Sequence, residues 1–448
     1  MLCEQPGFFF LTAQMMPQAN LFVAAPLKKE REAELRNLLA SMNVIPGMAN
    51  PQNPVVPFGQ FDRLHFARFV ILEDQSLDDI HTAYALPRRD YPLMLAFIAD
   101  FDGHADDFRA ELARRTGDGL RRIFLCCESF TPGSDLARWM KEHEQPPAAA
   151  YVNWLGRTVR HIREDDALRL ALEAHLQNNA PVFAGKNPRQ IQELLKDFVD
   201  SETATGRIKL TEEEPTPFGW HLRKVINLVG VPLILLALAP LLLLYLPLFI
   251  YQLRSREKSD MEIAPRPDPN HEAELAQLED YNVTNQFSAL GSIKPGRFRC
   301  WLLSFLFWLV NYTARHFFTR GHLGRVATIH FARWVFLNDK KRALFVSNYD
   351  GSLDSYMDDF INKVGWGLNL VFSNGIGYPT TNWLVLEGAK DEQKFKYYLR
   401  RHQMPTQVWY NAHPGLSAFD LKKNALIREG IGRTDMTDAE LRQWVALF

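Results

Sequence analysis

The tetrad His-Phe-Ala-Arg occurs twice in this 448-residue chain, at 65–68 and at 330–333, inside the longer matches LHFARFVIL from Leu64 and IHFARWVFL from Ile329. The same offset of 265 residues joins Asn20 to Asn285, Phe22 to Phe287, Ala24 to Ala289 and Lys29 to Lys294. Farther along, IADFDGHADDF from Ile98 matches VSNYDGSLDSY from Val346, which pairs Asp102, Gly103, Asp106 and Gly119 with Asp350, Gly351, Asp354 and Gly367. His143 and Tyr151 recur as His402 and Tyr410. A repeat on this scale makes each copy one structural unit, so two units, roughly 18–175 and 283–432, are expected.

Each unit has a readable order. An apolar stretch from Asn20 to Pro26 precedes the helical pattern KKEREAELRNLLASM, then the strands LHFARFVIL and LMLAFIADF. An Asp-Gly turn, a helix from about Ala105 to Arg115 and a strand RIFLCCESF follow. The fold class is therefore α+β, with two ferredoxin-like βαββαβ repeats. Two helices on one face leave the other sheet face apolar and uncovered, and a second copy supplies the cover. The expected result is an intramolecular α/β-barrel-like pseudo-dimer.

Between the copies, VINLVGVPLILLALAPLLLLYLPLFIYQL runs from Val225 to Leu253 without a charge, longer than the roughly 20 apolar residues a bilayer crossing needs. It carries Pro232, Pro240 and Pro247 and has Arg223, Lys224, Arg254, Arg256 and Lys258 at its flanks. A hairpin broken near Pro240 would keep both basic flanks at one surface, and a kinked span is the plainer alternative. If the two sheets pack together, both halves must lie on one side, which favours the hairpin. The segment CWLLSFLFWLVNYTARHFF, from Cys300, reads as an in-plane helix with Trp301 and Trp308 in the acyl boundary. The layout is then an N-terminal unit (1–180), an amphipathic helix and linker (181–222), the membrane segment (223–254), a charged linker (255–282) and a C-terminal unit (283–448) with a membrane-facing helix over 297–318.

At this point the chain resembles the dimeric α/β-barrel superfamily, which includes the dye-decolourising peroxidases and chlorite dismutases, and through HFAR, SNYDG and VWYNAHP it looks like an uncharacterised bacterial membrane-protein family. The resemblance implies an oxidoreductase, with haem among its implied cofactors and a proximal His upstream of a strand bearing a distal Arg: His316 or His322 ahead of Arg333. The chain departs from the peroxidase pattern in having no GxxDG, the nearest match being SNYDG at 347–351.

Composition narrows the partners. Lys and Arg number 51 against 52 Asp and Glu, a net charge of −1, so no field exists to hold a nucleic-acid backbone. Four cysteines without CxxC spacing exclude a structural zinc and a disulfide framework. With no export signal read at the N-terminus, the cytoplasmic face of a membrane is the expected location, membrane lipid the expected partner, and a homo-oligomer is left open.

Strand alternation sends His65 and Arg68, and likewise His330 and Arg333, to opposite faces. A buried arginine needs a carboxylate or carbonyls, and Asp102 and Asp350, at the ends of the neighbouring strands, are the expected partners. That arrangement reads either as a scaffold clasp repeated in each copy or as a site in which Arg333, Asp350 and His330 act catalytically. Asn348, Tyr349 and Asn374, with Arg68 and Asp102, are candidate ligand contacts at strand ends. Two functions follow: a membrane-anchored oxidoreductase acting on a lipid or apolar small molecule held between the sheets, or a non-catalytic lipid-binding or scaffold protein.

Overall fold

The computed structural model describes residues 18–212, 218–319, 321, 323 and 325–448. It is a mixed α+β structure whose eight principal strands are β1 (Gln18–Pro26), β2 (Leu64–Leu72), β3 (Met94–Asp102), β4 (Ala149–Val152), β5 (Thr284–Ser292), β6 (Ile329–Leu337), β7 (Arg342–Asp350) and β8 (Thr406–Asn411). They form two sheets. One has the order β1-β3-β2-β8 and continues into short strands at Gly47–Ala49 and Asn43–Ile45; the other has the order β4-β6-β7-β5.

The order carries an exchange. β4 belongs by sequence to the first half but pairs antiparallel with β6 of the second, Ala149 opposite Trp334. β8, from the second half, pairs antiparallel with β2 of the first, Trp409 opposite Arg68. Just upstream of each exchanged strand the chain still bonds its own half: Gln145 N–H donates to Phe22 O at 2.8 Å and Met404 N–H to Ser288 O at 2.8 Å. Each of these segments therefore stitches one sheet edge to the other.

The long strands are apolar on both faces because both faces are buried. Phe22, Val70, Leu72 and Ile98 meet Leu290, Val335, Leu344 and Val346 between the sheets. The alternate residues Val23, Ala67, Phe69 and Phe97 pack under helices Glu32–Ala40 and Ala105–Phe124 through Leu35, Leu39, Leu112 and Leu120. On the second sheet, helix Arg297–His316 supplies Leu303 and Phe307, and helix Leu353–Phe372 supplies Tyr356 and Phe360. A further cluster joins helices Val159–Asn178, Pro188–Ala204 and Ala418–Gly432 through Leu168, Leu195 and Ile427.

Several expectations change. RIFLCCESF is not a strand: helix Ala105–Phe124 runs through its first three residues, because Phe108, Leu112, Leu120 and Ile123 recur at helical spacing and bury one face. The fourth strand of the first half is β4 instead. The stretch 255–282 is more than a linker, since it contains helix Pro269–Ala276 capped by Asp268. The apolar segment shows no hairpin break near Pro240: Phe218–Glu257 is one helix of 40 residues with Val225, Pro240 and Leu253 all inside it. Its apolar window has mean hydropathy 2.7 and no buried residue, so by length and composition it is able to cross a membrane.

The repeat's glycines make a stability test. A Cβ on Gly119 would sit 1.7 Å from the Val55 carbonyl oxygen, whereas one on its counterpart Gly367 would meet nothing within 4 Å. Gly119→Ala is expected to cost roughly 1–3 kcal/mol or more through overpacking. Gly367→Ala, in an open helix interior, is expected to gain up to about 1 kcal/mol. Denaturant midpoints of the two variants check both signs.

Candidate functional site

The predicted pairing of the arginines with Asp102 and Asp350 is not what forms. A register shift between Leu64 and Phe66, and again between Ile329 and Phe331, interrupts strand alternation at each histidine. The bulge turns His65 toward the other half, its ring 5.3 Å from that of Phe331, while Arg68 reaches the other half as well. The histidines then take the carboxylates. His65 Nε2 lies 2.9 Å from Asp102 Oδ1, and His330 Nε2 lies 2.6 Å from Asp350 Oδ1.

Each carboxylate also starts a helix. Val159 N–H donates to Asp102 Oδ2 at 2.9 Å, and Ala418 N–H donates to Asp350 Oδ2 at 2.7 Å. Thr284 Oγ1 donates to Asp350 Oδ1 at 3.0 Å. With its lone pairs shared between an imidazole and a helix N-terminus, each aspartate ties a strand end to the helix that follows the exchanged strand.

The arginines cross the seam. Arg68 donates to Phe287 O at 3.0 Å, Ser288 Oγ at 3.1 Å and Ser347 O at 3.0 Å, and also to Asn348 Oδ1. Arg333 pairs with Asp100 and donates to Leu21 O and Ala99 O, each at 3.4 Å. Asn348 Nδ2 closes the network by donating to Asp100 Oδ2 at 3.3 Å. Asp100 and Asn348 are repeat counterparts; two carboxylates would repel here, so the amide lets the copies meet. Burial pulls Arg68 down to about 9, and burial with the charge of Arg68 does the same to Arg333, leaving both cationic at neutral pH.

The other predicted contacts lie elsewhere. Tyr349 stacks on Tyr356 at 4.0 Å within the second unit's core, and burial raises its phenol. Asn374 donates to Leu370 O at 3.2 Å and Val371 O at 3.3 Å, closing the end of helix Leu353–Phe372. His316 is at the end of helix Arg297–His316, 4.7 Å from the Tyr312 ring, and His322 lies outside the described residues.

Among the described residues, the cavities that touch a histidine are too small for haem. Ligand pockets run to roughly 300–1,000 Å³, whereas the space between the sheets is filled by side chains and the cavity beside His330 measures about 20 Å³. A second small cavity, between β5 and helix Arg297–His316, measures about 40 Å³. Wider surface grooves of about 530 and 310 Å³ are lined mostly by charged and polar residues, without a histidine.

What strand reasoning missed is His413. In NAHPG the following Pro places it on an extended or turn segment, where it reads equally as a ligand or as a loop residue; its ring stands 6.0 Å from that of His65 and 5.9 Å from that of His330. Burial, then the charges of His330 and His65, holds it well below the ordinary 6.5. The unfolded chain takes up a proton there near pH 6.5 and the folded chain does not, so stability is fully present above that pH and falls below it. Burial gives His402 the same sign. The expected loss is up to about 1.4 kcal/mol per pH unit for each such histidine. Urea midpoints from pH 7 to 5 should fall, and His413→Gln should flatten the slope; an unchanged slope would mean that folded His413 protonates.

No protein-family model matches the chain, and no curated protein matches it.

Proposed function

We propose that this is a monotopic membrane protein: two ferredoxin-like repeats, packed as a barrel-like pseudo-dimer, form one rigid body held flat on a lipid surface, where it serves as a non-catalytic scaffold. The observation that carries this reading is the position of helix Phe218–Glu257. Tyr312 Oη donates to Asn227 O at 3.4 Å near one end of helix Arg297–His316, while Arg256 lies 4.9 Å over Phe298 near the other. Phe249 packs 5.7 Å from Phe298, and Leu253 clusters with Leu302 and Leu306. The apolar helix thus returns to the same body at both its ends.

Strand exchange supports the same conclusion. Each sheet takes one strand from the other side of the apolar helix, so in this reading both halves share one side of the bilayer. A lone transverse helix between them would separate them. The outer face of helix Arg297–His316 adds the lipid contact: Trp301 is 66% exposed, and Trp301, Phe305, Trp308 and Tyr312 form a stacked ladder with successive centroids 6.5, 5.8 and 5.8 Å apart. Aromatic rings of this kind favour the headgroup boundary.

The test is tryptophan quenching in phosphatidylcholine vesicles carrying brominated acyl chains. Wild type should lose more fluorescence on transfer to brominated lipid than Trp301→Leu/Trp308→Leu. Equal quenching would remove the aromatic helix from the membrane contact.

A further inference from the structure

The seam holds a small chamber, part apolar, into which polar groups left free by the strand-end pairs face. Its walls include His65, His330 and His413, Arg157 from the turn after β4, and Gln18 from the start of β1. The Arg157 side chain is fixed in place. Gly156 N–H donates to Gln18 Oε1 at 2.8 Å, Gln18 Nε2 donates to Arg157 O at 2.5 Å, and the guanidinium lies 3.8 Å over the Trp154 ring.

Hydrogen-bonding capacity is left over in this chamber. Arg157 is 4% exposed and its Nη2 has no partner among the described residues; His413, also 4% exposed, has neither ring nitrogen bonded, and His65 Nδ1 is likewise open. Such groups are costly when buried without a partner. The nearby carboxylates are already committed: Asp102 and Asp350 to the histidines and helix starts, Asp165 to Arg428 at 3.0 Å. Arg157 forms no direct ion pair among the described residues; the carboxylate whose charge reaches it, Asp165, is bonded to Arg428 instead.

We infer that this chamber is a binding site for a small monovalent anion of halide size, held by the Arg157 guanidinium and the His413 ring. A cavity of about 20 Å³ has room for one water-sized occupant, which matches a halide better than a phosphate or carboxylate ligand. The guanidinium opposes a metal cation, and among the described residues no group of three or more His, Cys, Asp or Glu side chains is arranged to hold one. The inference does not rest on the membrane reading, because the chamber lies inside the folded body.

The test uses the full chain in a neutral detergent, with thermal unfolding compared in sodium chloride, sodium bromide and sodium gluconate at equal ionic strength. Chloride and bromide at 100 mM should each raise Tm by about 3 °C or more over gluconate. Arg157→Gln should lose the difference between salts, whatever its own Tm, and Arg157→Lys should retain part of it. A bromide-soaked crystal should show anomalous density between Arg157 and His413. Equal Tm in all three salts, a water at that position, or a stoichiometric bound metal would each overturn the proposal.

Discussion

Arg333→Leu is expected to destabilise the protein by about 3–5 kcal/mol, a large part of a typical folding free energy of ~5–15 kcal/mol. The substitution leaves Asp100 buried at 4% exposure with its charge facing only the Asn348 amide. The double variant Arg333→Leu/Asp100→Leu should recover most of the loss, because replacing both members of a buried pair by apolar groups is often neutral. Arg68→Leu should cost less, since its partners are carbonyls, a hydroxyl and an amide and no carboxylate is stranded. Urea unfolding of the four proteins measures the ranking. A double variant as unstable as Arg333→Leu would mean that the network acts through something other than charge pairing.

Replacing residues 225–253 with a Gly/Ser linker of equal length is expected to leave the body folded and move it from the membrane fraction into buffer. The apolar window has no buried residue, and the packing lost is confined to the end of the replaced stretch, where Phe249 and Leu253 meet Phe298, Leu302 and Leu306. The strands on either side of it are hydrogen-bonded into common sheets, which keeps the halves together. A flexible linker of 29 residues has an r.m.s. end-to-end distance of about 30 Å, within reach of the span it replaces. Size-exclusion chromatography without detergent and far-UV circular dichroism check the outcome. An aggregated or unfolded product would show that the helix belongs to the core.

The repeat made much of this architecture readable before any coordinates. β2 coincides with LHFARFVIL, and the paired motifs at Asp102 and Asp350 end β3 and β7 as expected. The exchange of β4 and β8 was not readable, because each is short and its partner is chosen by an edge hundreds of residues away. The site was misread at one point of geometry: strict alternation assigns His65 and Arg68 to opposite faces, and a one-residue bulge, invisible in the side-chain pattern, turns both toward the seam. Asp100 was within reach, since IADFD puts two carboxylates two residues apart on one strand face and the repeat aligns the first with Asn348. His413 offered only a Pro after it, and nothing local marks a residue whose neighbours come from both halves.

The central claim is that both flanks of the apolar helix lie on one face of the membrane. Variants with one added cysteine, Glu193→Cys before the helix and Arg266→Cys after it, both at exposed positions, should be labelled by a membrane-impermeant maleimide in sealed vesicles of one orientation, with the unsubstituted protein and its native cysteines as background. The account predicts that both sites are labelled from the same side and both are protected from the other. Labelling of one site from each side would make the helix a transverse span and would contradict the strand-exchanged fold itself.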